Sequence, residues 1–319
     1  MTRLLFVTDP HSNTGLMKAA VELGNARSIH FLGIGGDFVD SKVAVPAGNG
    51  RNIPMNSLEL LYFQVVEESL TEEEKRNLQS QGKGGLETYF QNLPPEKKEG
   101  IFKKFKELAH QYEIDPLKEI LSGYNGTIFG TLGNHDPLFL KEGLEGIVQF
   151  LDDGDLTIGG LRVSGKPACY ERTQLGALLP DQYKHLDDYV ETTDEEIAKH
   201  PFENDSSVEP ADIYMNHRPI FDDFCNGSSH DKEARKLVEI AKLRGKNPMI
   251  LSGHFHGFKS GGLEQGVLQI VGGKDYVFEF DIDDSTKELN EVIIYKYVGS
   301  ERNPVPLPQQ QESAYAAAA

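Results

Sequence analysis

Residues 127–136 read Thr-Ile-Phe-Gly-Thr-Leu-Gly-Asn-His-Asp, and the fold and the site can both be inferred from this segment outward. An apolar run of strand length comes first, and an amide, an imidazole and a carboxylate follow it at Asn134, His135 and Asp136. Polar side chains that lose water at the end of a buried strand need partners, because burying them unpaired costs free energy. We expect a metal ion or a phosphate to be that partner.

Four other apolar runs end in side chains of the same kinds. Continuous apolar runs are typical of parallel strands that are buried on both faces. In open α/β sheets, ligands bind outside the carboxyl ends of the strands, so we expect all five ends to line one crevice. The runs and the polar residues that follow them are 4–7 with Asp9 and His11, 29–34 with Asp37, 212–215 with His217, and 248–251 with His254 and His256.

The order of elements at the start of the chain predicts a parallel sheet with helical crossovers. Residues 15–24 place Leu16, Ala19, Ala20 and Leu23 on one helical face between the first two strands. The next crossover would need roughly a dozen residues, yet a much longer segment precedes residue 127. We therefore predict a helical insertion over about 42–122, placed as a cap beside the sheet.

Inside this insertion, apolar spacing and capping residues indicate helices. Apolar residues recur at the i, i+3, i+4 spacing of an amphipathic helix over 58–65 and again over 101–109. Thr71 and Glu74 have the spacing of a capping box, which starts a helix. Residues 46–54 contain Pro, Gly and Asn and predict a loop.

The rest of the chain is predicted to return to α/β structure. Helices are expected around 138–151 and 231–243, and a hairpin should turn at Gly159-Gly160. One domain would then span 1–303, and a disordered tail rich in Pro and Gln would span 304–319. The segments that read as late β-strands are 267–271, 276–282 and 291–298.

The charge of the chain limits its partners. Its 319 residues include 32 Lys and Arg against 50 Asp and Glu, giving a formal net charge of -18. Such a balance argues against a protein that grips DNA or a phospholipid surface through a basic face. If the substrate is a phosphate ester, the site must supply its own positive charge, and metal ions do that most directly.

The cysteine count and the N-terminus indicate a soluble cytoplasmic protein. Only Cys169 and Cys225 are present, which suggests neither a disulfide framework nor a thiolate zinc site. The apolar run at 4–7 is too short for a signal peptide or a membrane span. No membrane partner is expected, and the oligomeric state stays open.

The donor types at the strand ends favour a pair of metal ions. Imidazoles, carboxylates and one amide carbonyl suit Mn, Fe, Zn or Ni, of which we favour Mn. Seven candidate donors without His135 are too many for one closed tetrahedral site, and one carboxylate can bridge two ions. Two such ions, divalent or trivalent, can clamp the attacking and leaving oxygens of a phosphoryl displacement.

These residues resemble the motifs of the calcineurin-like binuclear metallophosphoesterases. The resemblance covers residues 3 to about 283 and lacks no core ligand. It implies an α/β fold, namely a four-layer α/β/β/α sandwich of metallophosphoesterase type, here with the helical insertion. The matching motifs are Asp9-x-His11, Gly36-Asp37-x-x-Asp40, Gly133-Asn134-His135-Asp136, His217 and Gly253-His254-x-His256.

The resemblance also implies a role for each residue. A hydroxide bridging the two ions would hydrolyse a phosphate ester. His135, oriented by Asp136, would donate a proton to the leaving group or stabilise the charge of the transition state. Asp40 would support the metal ligands without binding a metal itself. One ion would lie on Asp9, His11, Asp37 and His256, and the other on Asp37, Asn134, His217 and His254.

Within this family, the sequence is most similar to small prokaryotic phosphoesterases related to cyclic-nucleotide phosphodiesterases. Pro10 and Ser12 flank His11 where relatives often have Ser or Ile and then Gly, which predicts a differently shaped loop. The arginines that flank the metals in Ser/Thr protein phosphatases have no clear counterpart in the sequence. Because the insertion suggests a substrate with a body as well as a phosphate, we predict a phosphodiesterase in preference to a monoesterase.

Two other functions are compatible with these residues. A metal-binding scaffold would hydrolyse slowly and bind a macromolecular partner, but it would have no need of His135 as a proton donor. A nuclease would contact nucleic acid through the lysines of 97–106, a reading that the acidic total disfavours. The glycines of 33–36 do not form a dinucleotide fingerprint, because Phe38 stands where its last glycine is required.

Overall fold

The architecture is described from a computed structural model. The described residues are 1–40, 42–47, 51–74, 93–151, 154–166, 210–217, 241–242, 245–254, 263–264, 267–298 and 301–306.

Five α-helices and fifteen strands have both ends within the described residues. A π-helical turn, His110–Ile114, joins α3 to α4. The helices are α1 Thr14–Ala26, α2 Ser57–Ser69, α3 Pro95–Ala109, α4 Asp115–Leu121 and α5 Phe139–Gly143. The strands are β1 Thr2–Val7, β2 Phe31–Ile34, β3 Lys42–Ala47, β4 Arg51–Asn56, β5 Thr127–Gly130, β6 Val148–Phe150, β7 Leu156–Ile158, β8 Leu161–Lys166, β9 Ile213–Asn216, β10 Met249–Ser252, β11 Leu263–Glu264, β12 Val267–Val271, β13 Tyr276–Ile282, β14 Leu289–Val298 and β15 Glu301–Pro306.

Two large sheets form the centre of the molecule. Among the described strands, the first sheet has the order β15-β14-β13-β1-β2-β5-β6, and β1, β2, β5 and β6 run parallel. The second sheet has the order β11-β12-β10-β9-β8-β7, and β8, β9, β10 and β12 run parallel. The two parallel sets confirm the strand directions that the apolar runs predict.

Strand β1 shows how the layers are held together. Leu4 and Phe6 belong to the buried cluster between the two sheets, whereas Leu5 and Val7 belong to the cluster under the helices. All four side chains are fully buried, and each contributes about 1.5–3 kcal/mol relative to exposure. This alternation explains the continuous apolar run, and the arrangement of sheets and helices confirms the predicted fold class.

The helices of the insertion pack against the first sheet. Tyr62 on α2, Phe105 on α3 and Leu117 on α4 lie in the same buried cluster as Leu5 and Ile34. The described part of the insertion thus supplies an outer layer of the sandwich, and a separate cap is not confirmed. Residues 75–92 lie outside the described part of the chain.

Two features of the insertion bear directly on the predictions. Strands β3 and β4 form an antiparallel two-stranded ribbon, so the loop predicted at 46–54 is wrong. Among the described strands, β3 and β4 pair only with each other, so both are edge strands, and an edge strand tolerates proline because some of its N–H groups point away from the ladder. The capping box is confirmed, since the Thr71 N–H donates to Glu74 Oε2 over 2.7 Å and the Glu74 N–H donates to Thr71 Oγ1 over 3.2 Å.

The helix predicted around 138–151 is too long. Helix α5 ends at Gly143, and Gly146 adopts a left-handed φ of 77° that stops helical continuation. Val148 and Phe150 are buried while Gln149 is exposed, which is the alternation of a strand, and β6 pairs with β5. The hydrophobic residues of this segment fit both the i, i+3, i+4 spacing of a helix and the alternation of a strand, so the sequence does not distinguish the two.

The predicted hairpin and late strands are confirmed where the structure describes them, but the disordered tail predicted from residue 304 is wrong at its start, because residues 304–306 belong to a strand that pairs with β14. Strands β7 and β8 form the expected hairpin, and Gly159 and Gly160 take the positive φ values of 52° and 84° that a tight turn requires. Strand β15 pairs with β14 and includes the first three residues of the predicted tail. Of the helix predicted at 231–243, the structure describes residues 241–242, which are helical. Across the described ranges, no helix combines the length and apolar character needed to span a bilayer.

Candidate metal centre

The polar residues that follow the strands meet at one edge of the two sheets. Backbone hydrogen bonds join the loops after β1 and β2, with the His11 N–H donating to the Asp37 carbonyl over 2.8 Å. The ligand atoms of Asp9, Asp37 and His217 all lie within 4.8 Å of one another. His256 lies outside the described residues. The candidate centre therefore comprises Asp9, His11, Asp37, Asn134, His217 and His254.

Asp37 lies in the middle of the candidate centre. Its Oδ1 accepts the backbone N–H of His135 over 2.9 Å. Its Oδ2 lies 3.4 Å from His11 Nε2 and 3.3 Å from His217 Nε2. This buried oxygen accepts no hydrogen bond of ordinary geometry from the part of the chain that the structure describes. A buried carboxylate oxygen between two imidazoles fits a bound cation, because a cation would satisfy it.

Asn134 brings the two histidines of the second sheet together. Its Oδ1 lies 2.8 Å from His217 Nε2 and 3.0 Å from His254 Nδ1. The two imidazole rings meet edge to face at a centroid distance of 5.2 Å. Gly35 O lies 2.8 Å from His217 Nδ1 and so fixes that ring from its other side. With Asp37, these three side chains make up the set that the family resemblance implies for the second ion.

Asp9 is fixed by its neighbours in a fully buried position. Thr8 Oγ1 donates to Asp9 Oδ2 over 2.7 Å, and the His254 N–H donates to Oδ1 over 2.8 Å. Burial raises the pKa of Asp9 to about 7, and the negative charge of Asp37 adds to this rise. A cation at the candidate centre would favour the ionised carboxylate instead.

The charges of the other donors are strongly coupled. Burial opposes ionisation of Asp37, but His217 and His11 outweigh it and hold the pKa of that carboxyl well below its usual range. Burial likewise opposes charge on His217, yet the Asp37 and Asp9 carboxylates raise its pKa to about 9. Burial lowers the pKa of His11. Without a metal, a proton on His217 balances part of the carboxylate charge, so a bound cation would displace the proton from this imidazole.

His135 lies beside the candidate centre and is held by Asp40. His135 Nδ1 is 2.8 Å from Asp40 Oδ2, while Asp40 Oδ1 accepts the Leu58 N–H at the start of α2 over 2.9 Å. Burial opposes charge on the imidazole, but Asp40 and Asp37 raise the pKa of His135 to about 9. The edge of its ring packs against His11 at a centroid distance of 5.1 Å.

Asp136 does not orient His135, contrary to the expectation from the sequence. Its Oδ2 accepts the Gly133 N–H over 2.8 Å and its Oδ1 accepts the Val39 N–H over 3.1 Å. The side chain thus ties the loop after β5 to the loop after β2. Burial, helped by the charge of Asp37, raises the pKa of this carboxyl to about 7.

Two residues that the sequence did not single out take part in the site. Thr8 supports Asp9, and Asn56 Nδ2 from the end of β4 lies 3.4 Å from His135 Nδ1. Thr8 directly precedes the candidate ligand Asp9 in the sequence, and this position could have identified it as a supporting residue. Asn56 gives no such signal, because it reaches the site from the insertion.

The backbone of the site is strained in an unusual way. Of the eight described non-glycine residues with positive φ, six lie in or next to the candidate centre. Such conformations cost of order 1–3 kcal/mol each and persist only where the surroundings over-determine them. The strained residues at the site are Asp9, His11, Ser12, Asp37, Asp40 and His254.

Glycines allow this crowding at two positions. A Cβ on Gly133 would collide with the backbone nitrogen and the carboxylate of Asp37. A Cβ on Gly253 would collide with the hydroxyl of Thr8 and crowd the carboxylate of Asp9. The glycines that precede Asn134 and His254 in the motifs are therefore required by close approach.

The geometry and the sequence identify the class of protein. Residues 2–258 match the family described as calcineurin-like phosphoesterase, so the chain belongs to that family. It is a phosphoric ester hydrolase, and its family uses a binuclear divalent metal centre. No curated protein shows a significant sequence match.

One solved structure shares the fold of this chain, and others show a weaker likeness. One crystal structure has a TM-score of 0.52 at 14% identity, covering 93% of this chain and 99% of the other. An archaeal phosphodiesterase has a TM-score of 0.36 at 12% identity, covering 92% and 99%. A dimetal phosphatase from Danio rerio has a TM-score of 0.41 at 10% identity, covering 93% and 99%. At these identities the likeness concerns the fold alone.

Proposed function

We propose that the chain hydrolyses a phosphodiester with two metal ions at the candidate centre. Asp9, His11, Asp37 and His256 would hold one ion, and Asp37, Asn134, His217 and His254 the other. The buried Oδ2 of Asp37 lies between His11 Nε2 and His217 Nε2 and accepts no hydrogen bond of ordinary geometry from the described residues, which supports a bridging role for this carboxylate. Imidazole, carboxylate and amide donors suit Mn, the metal we favour over Fe, Zn or Ni.

The observation that carries a catalytic role is the pair formed by His135 and Asp40. In the metal-free protein the Asp40 and Asp37 carboxylates raise the pKa of His135 to about 9, and the contact with Asp40 favours the protonated imidazole that a proton donor needs. With Nδ1 held by Asp40 at 2.8 Å, Nε2 is the nitrogen left to donate to the leaving oxygen. A metal-binding scaffold would have no need of this arrangement.

The metal ligands and the residues beside them would have different roles in hydrolysis. Two bound ions would supply the positive charge that a phosphate needs and an activated water. Asp37 would hold both ions at a fixed spacing, while Thr8 and Asp136 would keep the supporting loops in place. His135 would return a proton to the leaving group, and Asp40 would hold the imidazole ring in its productive orientation.

The insertion supports a diester as the substrate. Asn56 at the end of its second strand lies 3.4 Å from His135 Nδ1, so this segment borders the imidazole on the side away from the leaving group. A diester carries a second substituent beside the phosphate, and a segment this close to the centre is available to contact it. The cytoplasmic location, which rests on the low cysteine content, stays a prediction.

The experiment is metal-dependent hydrolysis of bis-p-nitrophenyl phosphate, compared with p-nitrophenyl phosphate, in the presence of Mn, Fe, Zn or Ni. We expect the diester to be the better substrate. Asp37→Ala should abolish turnover, and His135→Ala should lower kcat by about 10²-fold or more. The exposed His30 is the matched control, and His30→Ala should behave like the unmodified chain.

Two results would contradict the proposal in different places. Absence of turnover with all four metals would overturn the hydrolytic function. Full activity in the His135→Ala variant would leave hydrolysis intact but remove the role given to His135.

A further inference from the structure

A buried acid from the insertion contacts the loop that carries His11. Glu113 lies in the π-helical turn between α3 and α4 and is only 6% exposed, although its neighbour Tyr112 is 59% exposed. Such turns are rare and occur frequently at functional sites. The Ser12 hydroxyl donates a hydrogen bond to Glu113 Oε2. Because Ser12 directly follows His11, this bond joins the insertion to the first loop of the candidate centre.

The backbone of Ser12 has a conformation that needs support. Its φ of 56° lies in the left-handed region, which glycine adopts readily and other residues avoid. His11 shares this region with a φ of 43°. Non-glycine residues persist there only where their surroundings hold them. The hydrogen bond to Glu113 is a contact of this kind, and it acts on the Ser12 side chain itself.

The same backbone directs His11 toward the candidate centre. His11 Nδ1 lies 3.2 Å from the Asp40 carbonyl oxygen, which leaves Nε2 as the nitrogen for a metal, 3.4 Å from Asp37 Oδ2. An acceptor behind the ring commonly orients a metal-binding imidazole in this way. The Ser12 N–H donates to the Phe38 carbonyl over 2.9 Å. A rotation about φ of Ser12 would shift His11 relative to these partners.

We propose that Ser12 and Glu113 are positioning residues for the metal ion that His11 would bind. Their hydrogen bond holds the left-handed backbone after His11, and this backbone sets the direction of the imidazole. Neither residue binds the metal or the substrate. The ligands of the second ion other than Asp37 follow β5, β9 and β10, so the contact acts on the first ion. The inference rests on the proposed function, from which it takes the division of ligands between two ions.

The test is a calorimetric titration of the full-length chain with Mn²⁺. In Glu113→Ala, one of the two ions should bind about tenfold more weakly, because residues that orient a ligand typically contribute about 10–100-fold to metal affinity. The other ion should bind with its unmodified affinity. Ser12→Ala should show the same selective loss, since it removes the hydroxyl and keeps the unfavourable φ.

Two further variants separate the hydrogen bond from the backbone conformation. Ser12→Gly also lacks the hydroxyl, but glycine adopts a left-handed φ readily, so its affinity for Mn²⁺ should stay within about threefold of the unmodified value. A chain that combines Ser12→Ala with Glu113→Ala should lose no more affinity than either single variant, because both changes remove one interaction.

The matched control is Glu119→Ala, which removes an exposed carboxylate from α4 and should bind both ions like the unmodified chain. Hydrogen exchange in the metal-free protein supplies an independent readout. The amide of Ser12 should exchange faster in Glu113→Ala and at the unmodified rate in Glu119→Ala. If Glu113→Ala does not fold, Ser12→Ala gives the same comparison of the two ions.

Several outcomes would overturn the inference. They are unmodified binding of both ions in Ser12→Ala, equal weakening of both ions, losses that add in the combined variant, or a loss in Ser12→Gly as large as that in Ser12→Ala. An unmodified chain that binds two ions and hydrolyses no diester would instead refute the proposed function. The binding comparison would then still test the contact between Ser12 and Glu113.

Discussion

Asp9 illustrates how a single residue couples metal binding to pH. In the metal-free protein, burial raises its pKa to about 7, and the carboxylates around His217 raise the pKa of that imidazole to about 9. Both groups must lose a proton before they can coordinate a cation. Metal binding near pH 8 should therefore release the proton of His217, and below pH 7 it should release the proton of Asp9 as well.

The prediction is a metal affinity that falls about tenfold per pH unit between pH 9 and 7, and more steeply below pH 7. Calorimetric titrations with Mn²⁺ in buffers of different ionisation enthalpy measure the protons released. In Asp9→Asn, the steeper fall of the Mn²⁺ affinity below pH 7 should disappear, because this variant has no carboxyl to protonate at residue 9. A constant slope from pH 9 to 6 in the unmodified chain would contradict the assignment.

The residues themselves could be predicted from the sequence better than their contacts. Asp9, His11, Asp37, Asn134, His217 and His254 share types that suit metal ions and positions at strand ends, and the structure brings them together. The partner of His135 could not be predicted in this way. Asp136 is its neighbour in the chain, but the turn sends that carboxylate toward two backbone amides and leaves Asp40 facing the imidazole.

At the scale of elements, glycines decide how closely the site loops approach. A methyl group on Gly133 would collide with Asp37, whereas a methyl group on Gly100 in α3 would meet nothing within 4 Å. Gly133→Ala should therefore abolish binding of both ions. Gly100→Ala should leave binding intact and raise the free energy of unfolding by about 0.5–1 kcal/mol, because alanine is the better helix former.

Elemental analysis after dialysis against Mn²⁺, together with urea unfolding, checks this pair of variants. Full metal content in Gly133→Ala would contradict the close approach of the two loops. A loss of stability in Gly100→Ala would show that this position is not the open helical site described above.

The elements of the core could be predicted because their patterns are simple. Strand β1 is apolar on both faces, and α2 and α3 have one apolar face each, so their types follow from the sequence. The ribbon of β3 and β4 could not be predicted, because its prolines are usual in loops and only pairing makes it a ribbon. The π-helical turn at His110–Ile114 also has no sequence signature, since it arises where α3 and α4 meet the core.

At the scale of the whole molecule, the net charge of -18 opposes the approach of an anionic substrate. Salt screens charges that lie more than about 10 Å apart at 0.1 M ionic strength. We therefore expect kcat/KM for bis-p-nitrophenyl phosphate to rise about twofold between 10 and 150 mM salt. Steady-state kinetics at fixed Mn²⁺ measure this change. A steep fall instead would indicate the cationic contact surface of a nuclease.

The insertion gives the molecule both a structural layer and a border of the site. Its helices cover the first sheet, while Asn56 and Glu113 face the loops that carry His11, Asp40 and His135. Changes in this segment should therefore affect turnover without removing the metal ligands. The part of the substrate beyond the phosphate would contact the same segment. A panel of different diesters would therefore identify the preferred substrate.

The most direct test of the central claim is a Mn²⁺ titration of the chelator-treated protein while hydrolysis of bis-p-nitrophenyl phosphate is followed. The claim requires two ions that share Asp37, so activity should develop with the second equivalent of Mn²⁺ per chain. Full activity at one equivalent would contradict a binuclear mechanism. No hydrolysis at any ratio, with two ions bound, would contradict the claim that this centre is a phosphodiesterase.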